Sequence, residues 1–196
     1  MSTPPRTRTR EAPDVRREQI LDAATQVFLA RGIADSTMAD VAETAGIAKG
    51  TVYLYFDSKD ALVTTLQSRY ADTMAERVGP LLATGGRGNR LRRVDAFIDG
   101  FAALHIEQHE LHHLLFRSTG ASEGPLFDRL RDALHRFIED GVRAGEFAVP
   151  DITLTVDFLL QGLHGIEIAA HQGEGLPPAR VVPVAQQLAR KILAAG

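Results

Sequence analysis

Along most of this chain apolar side chains return every three or four residues, the period of a helix with one buried face. The first stripe is Ile20, Leu21, Ala24, Val27 and Phe28, which predicts a helix from about Asp14 to Arg31, ended by Gly32. A second, short stripe follows Thr37, with Met38, Val41, Ala42 and Ala45 on one side and Gly46 placed to end it with positive φ. A third helix is predicted from about Lys49 to Phe56. A fourth runs from Ser58 to about Leu82 through Leu62, Leu66, Tyr70 and Met74, with Pro80 near its end as a kink or stop. After the Gly-rich residues 84–89 come predicted helices over Arg90–Glu107, His109–Arg117, Leu126–Ala144, Ile152–His171 and Arg180–Ala195. No stretch has the alternation of a strand. The expectation is an all-α chain of about nine helices: a three-helix head, a long fourth helix and a C-terminal helical bundle.

The most informative stretch is TMADVAETAGIAKGTVYLYFDSK, residues 37–59. Thr37 and Asp40 have the spacing of a capping box, with Asp where Glu is more usual. Two short helices joined by a tight Gly-containing turn form a helix-turn-helix, whose second helix is built to enter a DNA major groove. Val52 and Phe56, four apart, can face inward. The opposite side offers Lys49 for guanine or phosphate, Gly50 for close backbone approach, Thr51 and Tyr55 for phosphate oxygens, and Tyr53 for a thymine methyl or sugar. The helix N-terminus adds amides beside the phosphates. Lys59 is placed as a second phosphate anchor.

From Arg17 to about Val63 the chain resembles the DNA-binding domain of TetR-type transcriptional regulators. The resemblance lies in ILDAATQVFLARG, T-x-x-x-V-A-x-x-A-G-I, KGTVYLYF and S-K-x-A-L. It implies that Thr37, Lys49, Gly50, Thr51, Tyr53, Tyr55 and Lys59 contact operator DNA. One departure stands out: Ala48 occupies a place where such proteins usually carry Ser or Thr, so the recognition helix lacks a side-chain N-cap, a loss of about 1 kcal/mol of local order.

Charge changes the picture only through its distribution. The formal net charge of the 196 residues is −3, yet residues 1–17 carry Arg6, Arg8, Arg10, Arg16 and Arg17 against Glu11 and Asp14, leaving a more acidic remainder. A basic front on an acidic body suits a protein that touches DNA at one end. The predicted organisation is a disordered basic arm over 1–14, the helix-turn-helix head over 15–60, and a ligand-binding and dimerisation helical domain over 61–196. The arm reads either as a minor-groove extension or as a solvated tail. Absence of Cys excludes disulfides and thiol chemistry and is consistent with the cytoplasm; no apolar run predicts a membrane span or signal peptide.

Two histidine groupings raise the question of catalysis. His109, Glu110 and His113 satisfy HExxH, the zinc-peptidase pattern, with His105 four residues earlier. No third ligand at a suitable spacing and no sheet accompany them, and in TetR-like proteins a similar His/Pro-Glu-Leu run implies a cap and core segment. His164, Glu167 and His171 read as a polar stripe on a later helix. No catalytic set, metal set or cofactor is assigned, and the protein is expected not to be an enzyme.

The second half carries the expected effector site and the expected interface. Phe97, Phe101, Leu104, His105, Phe116, Phe137, Phe158 and Gln161 are candidate lining of an apolar cavity in the bundle, with Phe127 and His164 beside them. Leu159, Gly162, Leu163 and Ile166, followed by Val184, Leu188 and Ile192, give two helices that can pack against a symmetry mate. TetR-like proteins are similar in dimerising through this region. The resulting expectation is a homodimeric, ligand-responsive regulator, a repressor that binds a palindromic double-stranded DNA operator and is released by a small, largely apolar effector. The alternatives are a helical metal-dependent hydrolase or metal-binding protein using His109, Glu110 and His113, and a constitutive helix-turn-helix repressor with no effector.

Overall fold

The computed structural model describes residues 13–83, 89–117, 124–171 and 177–194, and among these the side chains of all but 117, 124–127, 166–171 and 178. Within the described residues there are nine α-helices, one π-helical turn and no strand. The chain divides into two compact units, one ending at Leu66 and the other beginning at Gln67. Of the sequence expectations, the basic arm up to residue 12 and the side chains of Phe127, Ile166, Glu167 and His171 lie outside what is described.

The first unit contains α1 (Pro13–Arg31), α2 (Met38–Thr44), α3 (Lys49–Tyr53) and the opening of α4 (Lys59–Ala83). Ile20, Leu21 and Phe28 of α1, Val41 of α2, Val52 of α3 and Leu62 of α4 are all shut off from water and form the core of this unit. Glycine sets the first two helix ends. Gly32 (φ +80°) donates its amide to Phe28 O at 2.8 Å. Gly46 (φ +66°) donates to Glu43 O while Ile47 donates to Ala42 O, each at 3.0 Å, which is the Schellman pattern that closes α2. Nothing lies within 4 Å of a Cβ built on Gly46, so its requirement is the left-handed backbone and not space.

The second unit holds the rest of α4 with α5 (Arg90–Glu107), α6 (His109–His112), a π-helical turn (His113–Arg117), α7 (Gly124–Arg143), α8 (Ile152–His171) and α9 (Pro178–Ala194). Helix α5 packs on α8 and α9, and α8 on both α7 and α9. Phe97, Phe101, Leu104, Leu115, Leu130, Ile138, Val156 and Leu193 fill the interior. Ala148 N–H bonds Leu193 O at 3.0 Å, tying the α7–α8 turn to the end of α9. The buried Arg93 donates to Leu82 O at 3.1 Å and lies 5.1 Å over the Phe137 ring.

Three elements differ from the periodicity. Helix α3 ends at Tyr53 with Leu54 as its cap, while Tyr55 and Phe56 still bond Val52 O, so Phe56 reaches the core from just outside the helix. Pro80 sits inside α4 without ending it, since burial of Val78 and Leu82 carries the helix on to Ala83. The stretch expected as one helix, His109–Arg117, is a four-residue α-turn followed by a π-turn. Gln67 Nε2 donates to Leu115 O at 2.7 Å, which satisfies a carbonyl of that irregular segment.

Phe147 folds back so closely that a Cβ on Gly141 would lie 2.1 Å from its ring. Gly141→Ala is expected to destabilise the protein by about 1–3 kcal/mol, read as a lower melting temperature. Gly79→Ala, on α4 with nothing within 4 Å of the added methyl, should instead leave stability unchanged or raise it by up to about 1 kcal/mol.

Candidate functional site

The head builds an outward face by burying the other one. Val52 is wholly buried and Phe56 nearly so, and the Arg17 guanidinium covers the Phe56 ring at 5.2 Å. Lys49, Gly50, Tyr53 and Leu54 are thereby exposed, while Thr51 and Tyr55 are half-buried at the edges. Lys49 Nζ lies 5.9 Å over the Tyr53 ring, so the two leading candidates for base or phosphate contact are held as a pair. Ala48 makes no side-chain cap, as its methyl must. Leu54, 82% exposed, belongs to the same face and was not singled out by sequence. It lies four residues after Gly50, the spacing that puts two residues on one side of a helical turn.

Thr37 begins α2 as a full capping box. Its Oγ1 accepts from the Asp40 amide at 3.3 Å, and Asp40 Oδ2 accepts from the Thr37 amide at 2.8 Å and from its hydroxyl at 2.7 Å. Arg31 adds an ion pair to Asp40 at 3.0 Å. Bonds from the Thr37 hydroxyl and amide, with Arg31 contributing less, hold the Asp40 carboxyl below its ordinary value of 3.8.

Lys59 differs from its expected role. Its ammonium donates to Ile33 O, Ala34 O (3.1 Å) and Ser36 O (2.9 Å), so all three of its N–H groups are directed at the turn between α1 and α2. Ser36, itself buried, closes the same turn by donating to Gly32 O at 2.6 Å. In this arrangement Lys59 is a clamp for the head, with no donor left for phosphate.

In the second unit the eight expected cavity residues do not share one site. Phe97, Phe101 and His105 form a row along α5, with ring centroids 6.3 and 4.4 Å apart. His112 and Phe116 continue it, joined by Tyr70 and His164. Phe137 lies apart, edge-on to Phe147 at 5.7 Å. Leu104 is buried. Phe158 and Gln161 are exposed; Phe158, at 67%, stands on the outer side of α8.

Phe158 lines an apolar groove of about 220 Å³ between α5, α7, α8 and α9, with Phe97, Leu159, Gly162, Leu163, Leu188 and Ile192. Most residues expected at the interface thus meet in this groove. Val184 and Leu188 are half exposed on α9, whereas Leu159 is largely buried within the unit. Of the HExxH residues, His109 and His113 have ring centroids 6.4 Å apart, but Glu110 and His113 are exposed and the α-helix gives way at His113.

The sequence pattern described as bacterial regulatory proteins, tetR family, matches residues 20–66. The chain is 33% identical over 152 residues to the HTH-type transcriptional repressor KstR2 of Mycolicibacterium smegmatis, spanning 74% of this chain and 73% of that one. The chain belongs to the TetR family.

It is also 29% identical to KstR2 of Rhodococcus jostii over 80% of each chain. Among solved structures, a TetR-family transcriptional regulator from Pectobacterium atrosepticum has the same fold, with a TM-score of 0.76 at 22% identity over 95% of this chain and 98% of the other. The fatty acid degradation regulator FadR from Bacillus halodurans gives 0.70 at 20% identity over 92% and 96%. As a TetR-family member this protein is a transcriptional regulator and not an enzyme, which removes the hydrolase alternative. Among the described residues no helix is long and apolar enough to cross a membrane.

Three outcomes are expected of the TetR-family head. Lys59→Met should destabilise it by about 1–3 kcal/mol, because three carbonyls lose a charged donor, and this appears as a lower melting temperature. The slope of operator affinity against salt should be unchanged in the same variant, where a lost phosphate contact would reduce it by about one. Because folding lowers the Asp40 pKa, its contribution is complete above the ordinary value of 3.8 and is lost as pH falls through the lower folded value. The stability gap between wild type and Asp40→Asn should therefore close on acidification below that range, measured by thermal melts across pH.

Proposed function

We propose that this TetR-family regulator is a repressor that binds a palindromic operator as a two-fold dimer and is released by a small, largely apolar effector. The observation that carries the DNA reading is the exposed Lys49–Gly50–Tyr53 face on a helix anchored by buried Val52 and Phe56. Lys49 takes guanine or phosphate, and Gly50 admits the backbone. Tyr53 and Leu54 lie against sugar and thymine methyls, with Thr37, Thr51 and Tyr55 at the phosphate margins. One short helix reads too few base pairs for specificity, whereas a two-fold pair reads half-sites about 34–36 Å apart or a multiple of that.

Dimerisation is supported by the outer faces of α8 and α9, where Leu154, Phe158, Val184 and Leu188 are all at least half exposed. A stripe of large apolar side chains open to water marks an interaction surface. The repressor assignment is supported by the names of the two KstR2 relatives, which match most of the chain. The effector assignment is supported by the apolar groove and the aromatic row beside it. An effector releases the operator by favouring a dimer whose two heads no longer fit the half-site spacing, with a typical coupling of about 1–3 kcal/mol. Helix α4, which belongs to both units, is the proposed lever.

The test uses an operator selected from random duplexes by the full-length protein. Lys49→Ala and Tyr53→Ala should each weaken it about 5- to 150-fold with unchanged melting temperature, and Lys49→Ala should lower the salt slope by about one. Phe158→Glu with Leu188→Glu should give a monomer by sedimentation and abolish tight binding. Full affinity in both head variants would overturn the DNA face, and a dimer persisting in the double variant would overturn the interface.

A further inference from the structure

We infer that His105, His112 and His164 form a binding site for one late first-row divalent transition ion of the zinc class. The inference goes beyond the regulator reading and does not rest on it. The three residues come from three elements, α5, α6 and α8. Each offers a ring nitrogen, and these nitrogens lie within 4.8 Å of one another, the one such grouping among the described residues. Zinc–nitrogen bonds of 2.0–2.1 Å in a tetrahedral site put nitrogens about 3.4 Å apart, so modest side-chain rotations suffice to close on an ion.

The convergence is made by a break in the helix. In an unbroken helix, residues 105 and 112 would be about 10.5 Å apart along the axis. Here α5 ends at Glu107, Gln108 (φ −114°, ψ +19°) caps it and α6 starts at His109, so the His105 and His112 ring centroids are only 5.3 Å apart. His164 comes to 5.9 Å from His112, and both pairs of rings are steeply inclined, at 76° and 75°, instead of stacked face to face. This is why the histidines that meet are not those of the HExxH pattern. His113 points to solvent, one residue past the ring that turns inward.

The rings are held before any ion arrives. His105 and His112 are buried, and Nδ1 of His164 is shut off from water. Phe101 packs 4.4 Å from His105, and Tyr70 and Phe116 pack 5.6 and 5.3 Å from His112. Little further ordering is needed on binding, which favours affinity. The donor set selects the ion: imidazole nitrogens suit Zn²⁺, Ni²⁺, Co²⁺ and Cu²⁺ and disfavour Mg²⁺ and Ca²⁺, which take oxygen ligands. The chain has no cysteine to offer a competing thiolate site. Three protein ligands leave a fourth position. Three neutral imidazoles also leave the ion's double charge uncompensated, so hydroxide or another small anion completes the site.

The experiment uses tag-free full-length protein stripped with chelator, then titrated with Zn²⁺ by calorimetry and with Co²⁺ by visible absorption. One ion per chain is expected, with the d–d bands of tetrahedral Co²⁺ and a raised melting temperature. His112→Phe keeps an aromatic ring against Tyr70 and Phe116, and His164→Leu keeps the bulk on α8. Each should weaken binding by more than about 100-fold, since even outer-shell partners are worth 10–100-fold, whereas His113→Ala should bind as wild type. Folded wild-type protein taking up neither ion at micromolar concentration overturns the site, as does full binding by the His112 and His164 variants. Operator binding by the same proteins with chelator present reads the regulator assignment separately.

Discussion

Everything the head can do depends on where Val52 and Phe56 go. A helix of five residues has no stability of its own, because its few internal bonds do not offset the ordering of the chain. It exists because Val52 leaves water entirely and Phe56 is sealed between the core and the Arg17 guanidinium. Once those two side chains are inward, the helical period leaves Lys49, Gly50, Tyr53 and Leu54 no choice but the outside. The absent cap at Ala48 makes the same point from the other end: packing, and not capping, holds this helix in place.

The turn between α1 and α2 shows how the head supports that helix without a large core. Buried or half-buried carbonyls need donors. Lys59 supplies three at once and Ser36 supplies a fourth, while Gln19 reaches from α1 to Ala45 O at 3.0 Å to fix the far end of α2. A cation that looks available for DNA is thus a structural donor. Its burial partner is backbone, and backbone carbonyls cannot be recognised by residue type.

The second unit is organised around a different constraint, the junction of α5 and α6. The α-helix stops at Gln108, restarts for four residues and then widens into a π-turn whose Leu115 carbonyl is met by Gln67. Such irregular turns persist where side-chain packing over-determines them. Here the packing is the row of Phe101, His105, His112, Phe116 and Tyr70, which an unbroken helix would pull apart. The exposed apolar stripe on α8 and α9 is the other unusual feature, with Leu154 and Phe158 largely open to water, as on a surface built for interaction.

By itself the sequence determined most of the helices, their glycine-set ends at Gly32 and Gly46, the capping box of Thr37 and Asp40, and the split of the recognition segment into an inner and an outer side. Those features arise within a few residues, from a period of 3.6, from the need for positive φ, and from amides three residues away from a side-chain oxygen. Only the tertiary structure decided that Lys59 faces three carbonyls, that Phe158 stands in solvent, and that His112 and not His113 meets His105. Each of those depends on a partner far along the chain, or on where a helix breaks. A periodic pattern says which side of a helix is apolar; it carries no information about what the fold brings to that side.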